Sequence, residues 1–387
     1  MTTTAEAHLG DVLWGGAAAV GALAGEEAKA AAGRLRLPQG RKTCVVLADG
    51  LGWHNLAARA DHAPFLTARL AEQDQDRAPV NRLRAALPTT TATNLAYLGT
   101  GQRGGATGML GYTVRRDRAS RGLLNLISWR GGADPLRWQR RRTVFEHIVA
   151  GGAGAVSIGP WRFEGSGLTV AALRGAEFIP AESLPARVDA ALHALRDPQV
   201  SVVYLYWGEV DSVGHQLGWT SAAWADELSH LDTQISDLAR RLPQAVNLLV
   251  TADHGMVDIA DTPMSGGQGR IDAATDPDLS RDVSLIGGEP RFSHVYTSQP
   301  EQVAERWRRR LAEQALVLSR AEAIGADWFG PVAAEFTEVI GDVVVAATSP
   351  VAIMNSAMQP PEAMALLGMH GSVTDQEREV PLVAVQG

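Results

Sequence analysis

Three short runs of β-branched and aliphatic residues, at 43–48, 202–206 and 248–251, each end shortly before an aspartate: Asp49, Asp211 and Asp253. Such runs read as strands, and in an open parallel sheet the carboxyl ends of the strands form one edge where ligands bind. Carboxylates remote in sequence then become neighbours in space. Strand-like runs alternate with helical patterns along much of the chain, which predicts an α/β fold, a doubly wound, mostly parallel sheet flanked by helices. The clearest helix spans 221–242, where Trp224, Leu228, Leu231, Ile235, Leu238 and Leu242 step by three and four and form one buried stripe. Lying between the Asp211 segment and the Asp253 strand, it makes a βαβ unit. Further strands are expected at 155–158, 292–297, 342–346 and 380–385, and further helices at 144–150 and 302–316. The stretches 115–142 and 258–289 are rich in Gly, Pro, Asp and Arg with little periodicity, and read as long loops over the ligand-binding edge.

A chain of 387 residues with 45% apolar side chains can bury a large core. The expectation is a single domain, 1–387, with insertions within 105–200 and 258–340 forming a lid or cap. A net charge of −8 argues against general nucleic-acid binding, so the Arg runs at 137–142 and 306–310 read as solvated faces, with an Arg of the first run as a candidate substrate contact. The single cysteine, Cys44, lies in a strand-like run and reads as a buried, inert thiol; no disulfide can form within the chain. The apolar stretch 12–25 is preceded by Asp11, followed by Glu26 and Glu27, and lacks a basic segment before it, which speaks against a signal peptide. No other run approaches the ~20 apolar residues of a membrane span. A cytoplasmic protein acting on a small molecule, with neither nucleic acid nor membrane as partner, is the resulting expectation.

The chemistry-bearing residues are specific in type and setting. Asp49 enters a turn with Gly50 and Gly52. Asp211 and His215 form an Asp-x-x-x-His pair, a spacing that brings both side chains onto one side of a helical turn. Asp253 and His254 are adjacent, and both reach one ion only where the strand breaks, which Gly255 permits. His370 precedes Gly371 and Ser372 and the closing strand. Three Asp and three His suit two divalent ions, and mixing imidazole with carboxylate favours zinc, with manganese as the alternative. Residues 87–101 then supply hydroxyls: Pro88, Thr89, Thr90 and Thr91 open a short helix at 94–98, and a hydroxyl at a helix start lies beside free N–H groups that favour phosphate.

In chain order and chemical type these elements, Ala48-Asp49-Gly50, Pro88-Thr89-Thr90-Thr91-Ala92-Thr93-Asn94, Asp211-x-x-x-His215, Thr251-Ala252-Asp253-His254-Gly255-Met256 and His370-Gly371-Ser372, resemble the type I phosphodiesterase / nucleotide pyrophosphatase family of the alkaline phosphatase superfamily. The resemblance implies that Asp49, Asp253, His254 and a nucleophilic Thr91 hold one zinc, and Asp211, His215 and His370 the other. It also implies Asn94 as a hydrogen-bond donor to a phosphoryl oxygen. Thr93 departs from the family pattern, which has proline there. The implied activity is hydrolysis of phosphodiester or pyrophosphate bonds in nucleotide-like substrates through a phospho- or nucleotidyl-threonine. Phosphonoacetate hydrolysis is the nearest alternative. Phosphomonoesterase activity is disfavoured because Ala92, not Arg, follows Thr91. Tyr112, Trp161 and Phe163 are candidates for stacking a base, whereas His294 and Glu209 read as structural or loop residues.

Overall fold

In the strand Lys42–Ala48 every residue after Lys42 is buried. Successive side chains of a strand point to opposite faces, so unbroken burial requires cover on both faces and a neighbour on each edge. The neighbours are Val200–Trp207 and Val246–Thr251, both parallel. The computed structural model, which describes residues 6–74, 78–117, 119, 122–130, 132–260 and 269–387, extends this to a seven-stranded sheet. From edge to edge its order is Arg82–Arg84, Glu379–Gln386, Val246–Thr251, Lys42–Ala48, Val200–Trp207, Gly154–Gly159 and Glu177–Pro180. Pairing is parallel except where Glu379–Gln386 closes against its two neighbours. Lys42–Ala48 sits in the middle, with Val200–Trp207 on one side of it and the next sheet strand in sequence, Val246–Thr251, on the other. The crevice of such an α/β sheet opens at that change of side, beyond the carboxyl ends.

Of the apolar stretch 12–25, the part up to Ala19 enters the core. Helix Asp11–Ala19 packs on the central strands, and Thr43 Oγ1 donates to the Gly16 carbonyl over 2.8 Å. The predicted helix at 221–242 is Ala222–Arg240, capped by the Ser221 side chain and buried along Trp224, Leu228, Leu231, Ile235 and Leu238. Leu242 falls beyond its end. Cys44 is fully buried, and burial pushes its thiol up to about 12.

Other expectations shift. The helix predicted at 302–316 is Pro300–Leu311, because Ala315–Ser319 is an edge strand pairing with Val343–Ala347. Those two strands join Val283–Glu289 and Phe292–Thr297 in a four-stranded antiparallel sheet with its own core around Trp307, Val295 and Val345. The stretch 258–289 therefore carries strands as well as loop; its residues 261–268 lie outside the described residues. The stretch 115–142 likewise includes the strand Leu123–Asn125, paired with Thr113–Arg115, and residues 118, 120, 121 and 131 there are not described. Within 105–200, the segment read as bearing a lid insertion supplies two strands of the central sheet, Gly154–Gly159 and Glu177–Pro180. The second escaped sequence reading because it is a four-residue edge strand without buried alternation. Among the described residues no helix is long and apolar enough to cross a membrane.

Candidate active site

Asp49 is the first residue past its strand, and the chain turns there through Gly50 at φ +73°. A Cβ on Gly50 would lie 2.9 Å from the Asp211 Cβ, so glycine is what lets this turn pass directly against the second aspartate. Asp211 and His215 stand four apart on helix Glu209–Leu217, which places them on one face, with Asp211 Oδ2 3.4 Å from His215 Nε2. Asp253 and His254 follow strand Val246–Thr251 after the single residue Ala252. Asp253 Oδ1 accepts from the Gly50 and His254 amides at 3.2 and 3.1 Å, tying two strand exits together. Thr91 opens helix Thr91–Thr100, three residues earlier than the predicted start at 94, with Thr90 extended before it. His370 follows the short strand Gly368–Met369, which is held against Val257–Asp258.

Two clusters result. In the first, Thr91 Oγ1 lies 3.2 Å from His254 Nε2 and 3.5 Å from Asp49 Oδ1, and the same Nε2 is 3.4 Å from both Asp49 Oδ1 and Asp253 Oδ2. In the second, His215 Nδ1 contacts the Gly368 carbonyl at 2.7 Å and His370 Nδ1 the Thr89 carbonyl at 2.8 Å. Carbonyls only accept, so each Nδ1 carries the hydrogen and each neutral ring is left with a lone pair on Nε2. Those two Nε2 atoms face each other at 3.2 Å. Two opposed lone pairs repel unless a cation lies between them. His254 stacks on His370 with ring centroids 3.6 Å apart, so the clusters adjoin.

The electrostatics agree. Burial, then Asp253 and Asp211, push the Asp49 carboxyl well above the usual range, and burial raises Asp253 as well. Burial, then the neighbouring imidazoles of His254 and His215, hold His370 well below an ordinary imidazole. Asp211 Oδ1 and Asp253 Oδ2 are buried without a hydrogen-bond partner. Asp211, His215 and His370 bring ligand atoms within 4.8 Å of one another, as do Asp49, Asp211 and His254. Crowded carboxylates, orphaned oxygens and opposed imidazole nitrogens are the donor set of a metal centre, and the residues present fit one.

Asn94, expected to donate to a phosphoryl oxygen, is not among the residues lining the cavity. It is fully buried, its Oδ1 accepts from the Ala86 amide at 2.8 Å, and its Nδ2 donates to the carbonyls of Ala86, Pro88 and Thr90. With both ends engaged, the side chain braces the turn that presents Thr91 instead of facing a ligand. Conversely, Tyr206 was overlooked: its hydroxyl donates to Asp49 Oδ2 over 2.5 Å. The signal was its place two residues from Tyr204 in one strand, which puts both on one face. Glu289 was also overlooked. Its buried Oε2 lies 3.7 Å from His370 Nδ1, and burial raises its carboxyl well above the ordinary range. Glu209 instead lies 3.7 Å from Arg187 and caps the Gly208 amide.

The clusters open into a cavity of about 730 Å³. Tyr112 and Phe163 line it; Trp161 does not and is 68% exposed. No Arg from 137–142 lines it either, and the arginine at its wall is Arg162. His294 is buried elsewhere, between the Leu110 carbonyl and the Gly341 amide.

A sequence profile of type I phosphodiesterase / nucleotide pyrophosphatase matches residues 43–373, which takes in every ligand candidate above. The chain belongs to this family. Among curated relatives, ectonucleotide pyrophosphatase/phosphodiesterase family member 7 of Rattus norvegicus is 34% identical over 79 residues, 19% of this chain and 18% of the relative. Family member 5 of Homo sapiens is 27% identical over 126 residues, 28% of this chain and 26% of the relative. The aligned stretches thus span less than a third of these relatives. Solved folds match more broadly. Murine ectonucleotide pyrophosphatase / phosphodiesterase 5, as an inactive variant in complex with AMP, superposes with a TM-score of 0.66 at 17% identity, over 89% of this chain and 87% of that one. Phosphonoacetate hydrolase from Sinorhizobium meliloti in complex with phosphonoformate gives 0.65 at 19% identity over 90% of each. These likenesses establish the fold: a mixed α/β architecture around a mostly parallel central sheet, shared with those two structures.

Proposed function

We propose that this family member is a metal-dependent hydrolase of phosphodiester or pyrophosphate bonds that works through a covalent intermediate on Thr91. The observation that carries the reading is the placement of Thr91 Oγ1, first in its helix and within 3.5 Å of both His254 Nε2 and Asp49 Oδ1. Asp49, Asp253, His254 and Thr91 would hold one divalent ion, and Asp211, His215 and His370 the other. Mixed imidazole and carboxylate ligation favours zinc. Bound there, the ions would lower the hydroxyl pKa and neutralise charge on the phosphoryl group.

The chain's own residues supply the rest. Thr91 loses its proton and Oγ1 attacks phosphorus, forming an O–P bond while the ester oxygen opposite leaves. The first amides of helix Thr91–Thr100 have no partner within the helix and face the phosphoryl oxygens. Tyr206 holds Asp49 through its 2.5 Å hydrogen bond, and the Asn94 brace fixes the turn before Thr91. Water then attacks phosphorus and releases the threonine.

The test is hydrolysis of bis-p-nitrophenyl phosphate by zinc-loaded protein, with acid quench and mass spectrometry of the peptide containing Thr91. A phosphoryl adduct on Thr91 and loss of turnover in Thr91→Ala are expected. Full activity in Thr91→Ala with loss in Thr90→Ala would refute the assignment. The fold shared with phosphonoacetate hydrolase favours one second reading, C–P cleavage of a small phosphonate. Phosphonoacetate turned over faster than any diester would select it.

A further inference from the structure

Beyond the ligand clusters the cavity continues into a pouch whose floor is the central sheet. Strand register sets Phe178, Ser157 and Tyr204 side by side on three adjacent strands. Gly159 and Tyr206 form the next row on the same face. Leu95 from helix Thr91–Thr100, and Leu168 and Leu173 from helix Gly167–Leu173, close the sides. The wall is therefore largely hydrocarbon, while its floor carries hydroxyls. Tyr204 is 1% exposed, and its Oη has no hydrogen-bond partner. Ser157, 4% exposed, stands beside it in the register and lines the same space. A buried hydroxyl left unpaired is costly, and one at the floor of a cavity is explained by what the cavity takes in.

We propose that the pouch seats one organic group of the substrate, an apolar ring- or acyl-bearing body with a single hydrogen-bond acceptor that meets Tyr204 Oη and Ser157 Oγ. The proposal rests on the phosphoester hydrolase reading above and narrows its substrate class. A polyol brings several hydroxyls, and a wall built mostly from Leu95, Leu168, Leu173 and Phe178, with Arg162, Ser166 and Thr169 as its polar members, leaves part of them unpaired. Gly159 gives the pouch its depth. A Cβ there would meet only Phe178 Cζ at 3.7 Å and Phe163 Cδ2 at 3.9 Å, ordinary contacts, so a larger side chain is accommodated by the fold and occupies the pouch.

The test uses p-nitrophenyl phosphodiesters whose second group is methyl, naphthyl, acetylnaphthyl, glyceryl or thymidylyl. In the wild type kcat/KM is expected to be highest for acetylnaphthyl, about tenfold above naphthyl, the gain from one hydrogen bond. Glyceryl is expected to be poorest. In the double variant Ser157→Ala, Tyr204→Phe the acetylnaphthyl-to-naphthyl ratio should fall towards one. In Gly159→Val the naphthyl-to-methyl ratio should fall at least tenfold. A glyceryl or thymidylyl diester preferred over naphthyl, or an acetyl preference that survives the double variant, overturns the proposal. Calorimetric binding of acetylnaphthyl methylphosphonate separates the two readings. Binding lost in the double variant, with no diester turned over, keeps the pouch and overturns the hydrolase. Turnover of bis-p-nitrophenyl phosphate without discrimination keeps the hydrolase and overturns the pouch.

Discussion

His294, on strand Phe292–Thr297, offers the sharpest test of how the four-stranded sheet is held to the loops at Leu110 and Gly341. Its Nε2–H donates to the Leu110 carbonyl at 2.7 Å and its Nδ1 accepts from the Gly341 amide at 3.1 Å. Protonating Nδ1 would set a second N–H against that amide. Burial first, and Arg320 in addition, lower its pKa from 6.5 to about 4. The unfolded chain therefore takes up a proton below pH 6.5 that the folded chain refuses until about pH 4. Stability rises with pH wherever the unfolded state binds more protons, so this contribution is complete above 6.5 and drains away as pH falls towards 4. At 1.36 kcal/mol per pKa unit the full loss is about 3 kcal/mol, of which about 2 is gone by pH 5. His294→Asn keeps an acceptor for Gly341 and removes the titration. Urea unfolding at pH 7.5 and at half-unit steps to 4.5 should show a variant less stable at neutral pH, by about 1–3 kcal/mol for the unpaired Leu110 carbonyl. Its stability should fall less steeply with acid, so the gap narrows by about 2 kcal/mol at pH 5. Parallel curves for the two proteins would refute the argument.

Three further outcomes are expected. Arg291 and Glu377 form a bidentate pair at 2.7 and 2.8 Å, 1% and 0% exposed, behind the turn that carries His370; Arg291→Met should cost about 3–5 kcal/mol in urea unfolding, because it strands a buried carboxylate, and a loss below about 1 kcal/mol would contradict the burial. Gly99→Ala would place a Cβ 1.8 Å from the Ala172 carbonyl oxygen, forcing the Thr91 helix off helix Gly167–Leu173; a destabilisation of about 1–3 kcal/mol by the same assay is expected, and none would mean the helices sit further apart. Metal-stripped protein should gain about 4 kcal/mol when free zinc reaches a thousandfold excess over its dissociation constant, seen as a raised unfolding midpoint by calorimetry; an unchanged midpoint in wild type, or a gain undiminished in His370→Ala, would count against the second cluster as a metal site.

Much of this protein was legible in the chain before any coordinates. The strands at 43–48, 202–206 and 248–251 announce themselves because burial on both faces demands continuous apolar runs. Asp49, Asp211, His215, Asp253, His254 and His370 stand out in the sequence by residue type near strand exits, and the structure places all six close to one another and to Thr91. What escaped was whatever depends on orientation. Asn94 is the right residue type in the right motif, yet the turn at 86–90 claims both ends of its amide. Tyr206, Glu289 and the Arg291–Glu377 pair look like ordinary strand and loop residues until distant segments arrive beside them. Composition and local periodicity are properties of neighbours along the chain, and they determined the layers and the metal-type donor set. Which hydroxyl faces a cavity, and which carboxylate loses its water, depends on contacts between strands more than a hundred residues apart, and only the tertiary structure decided those.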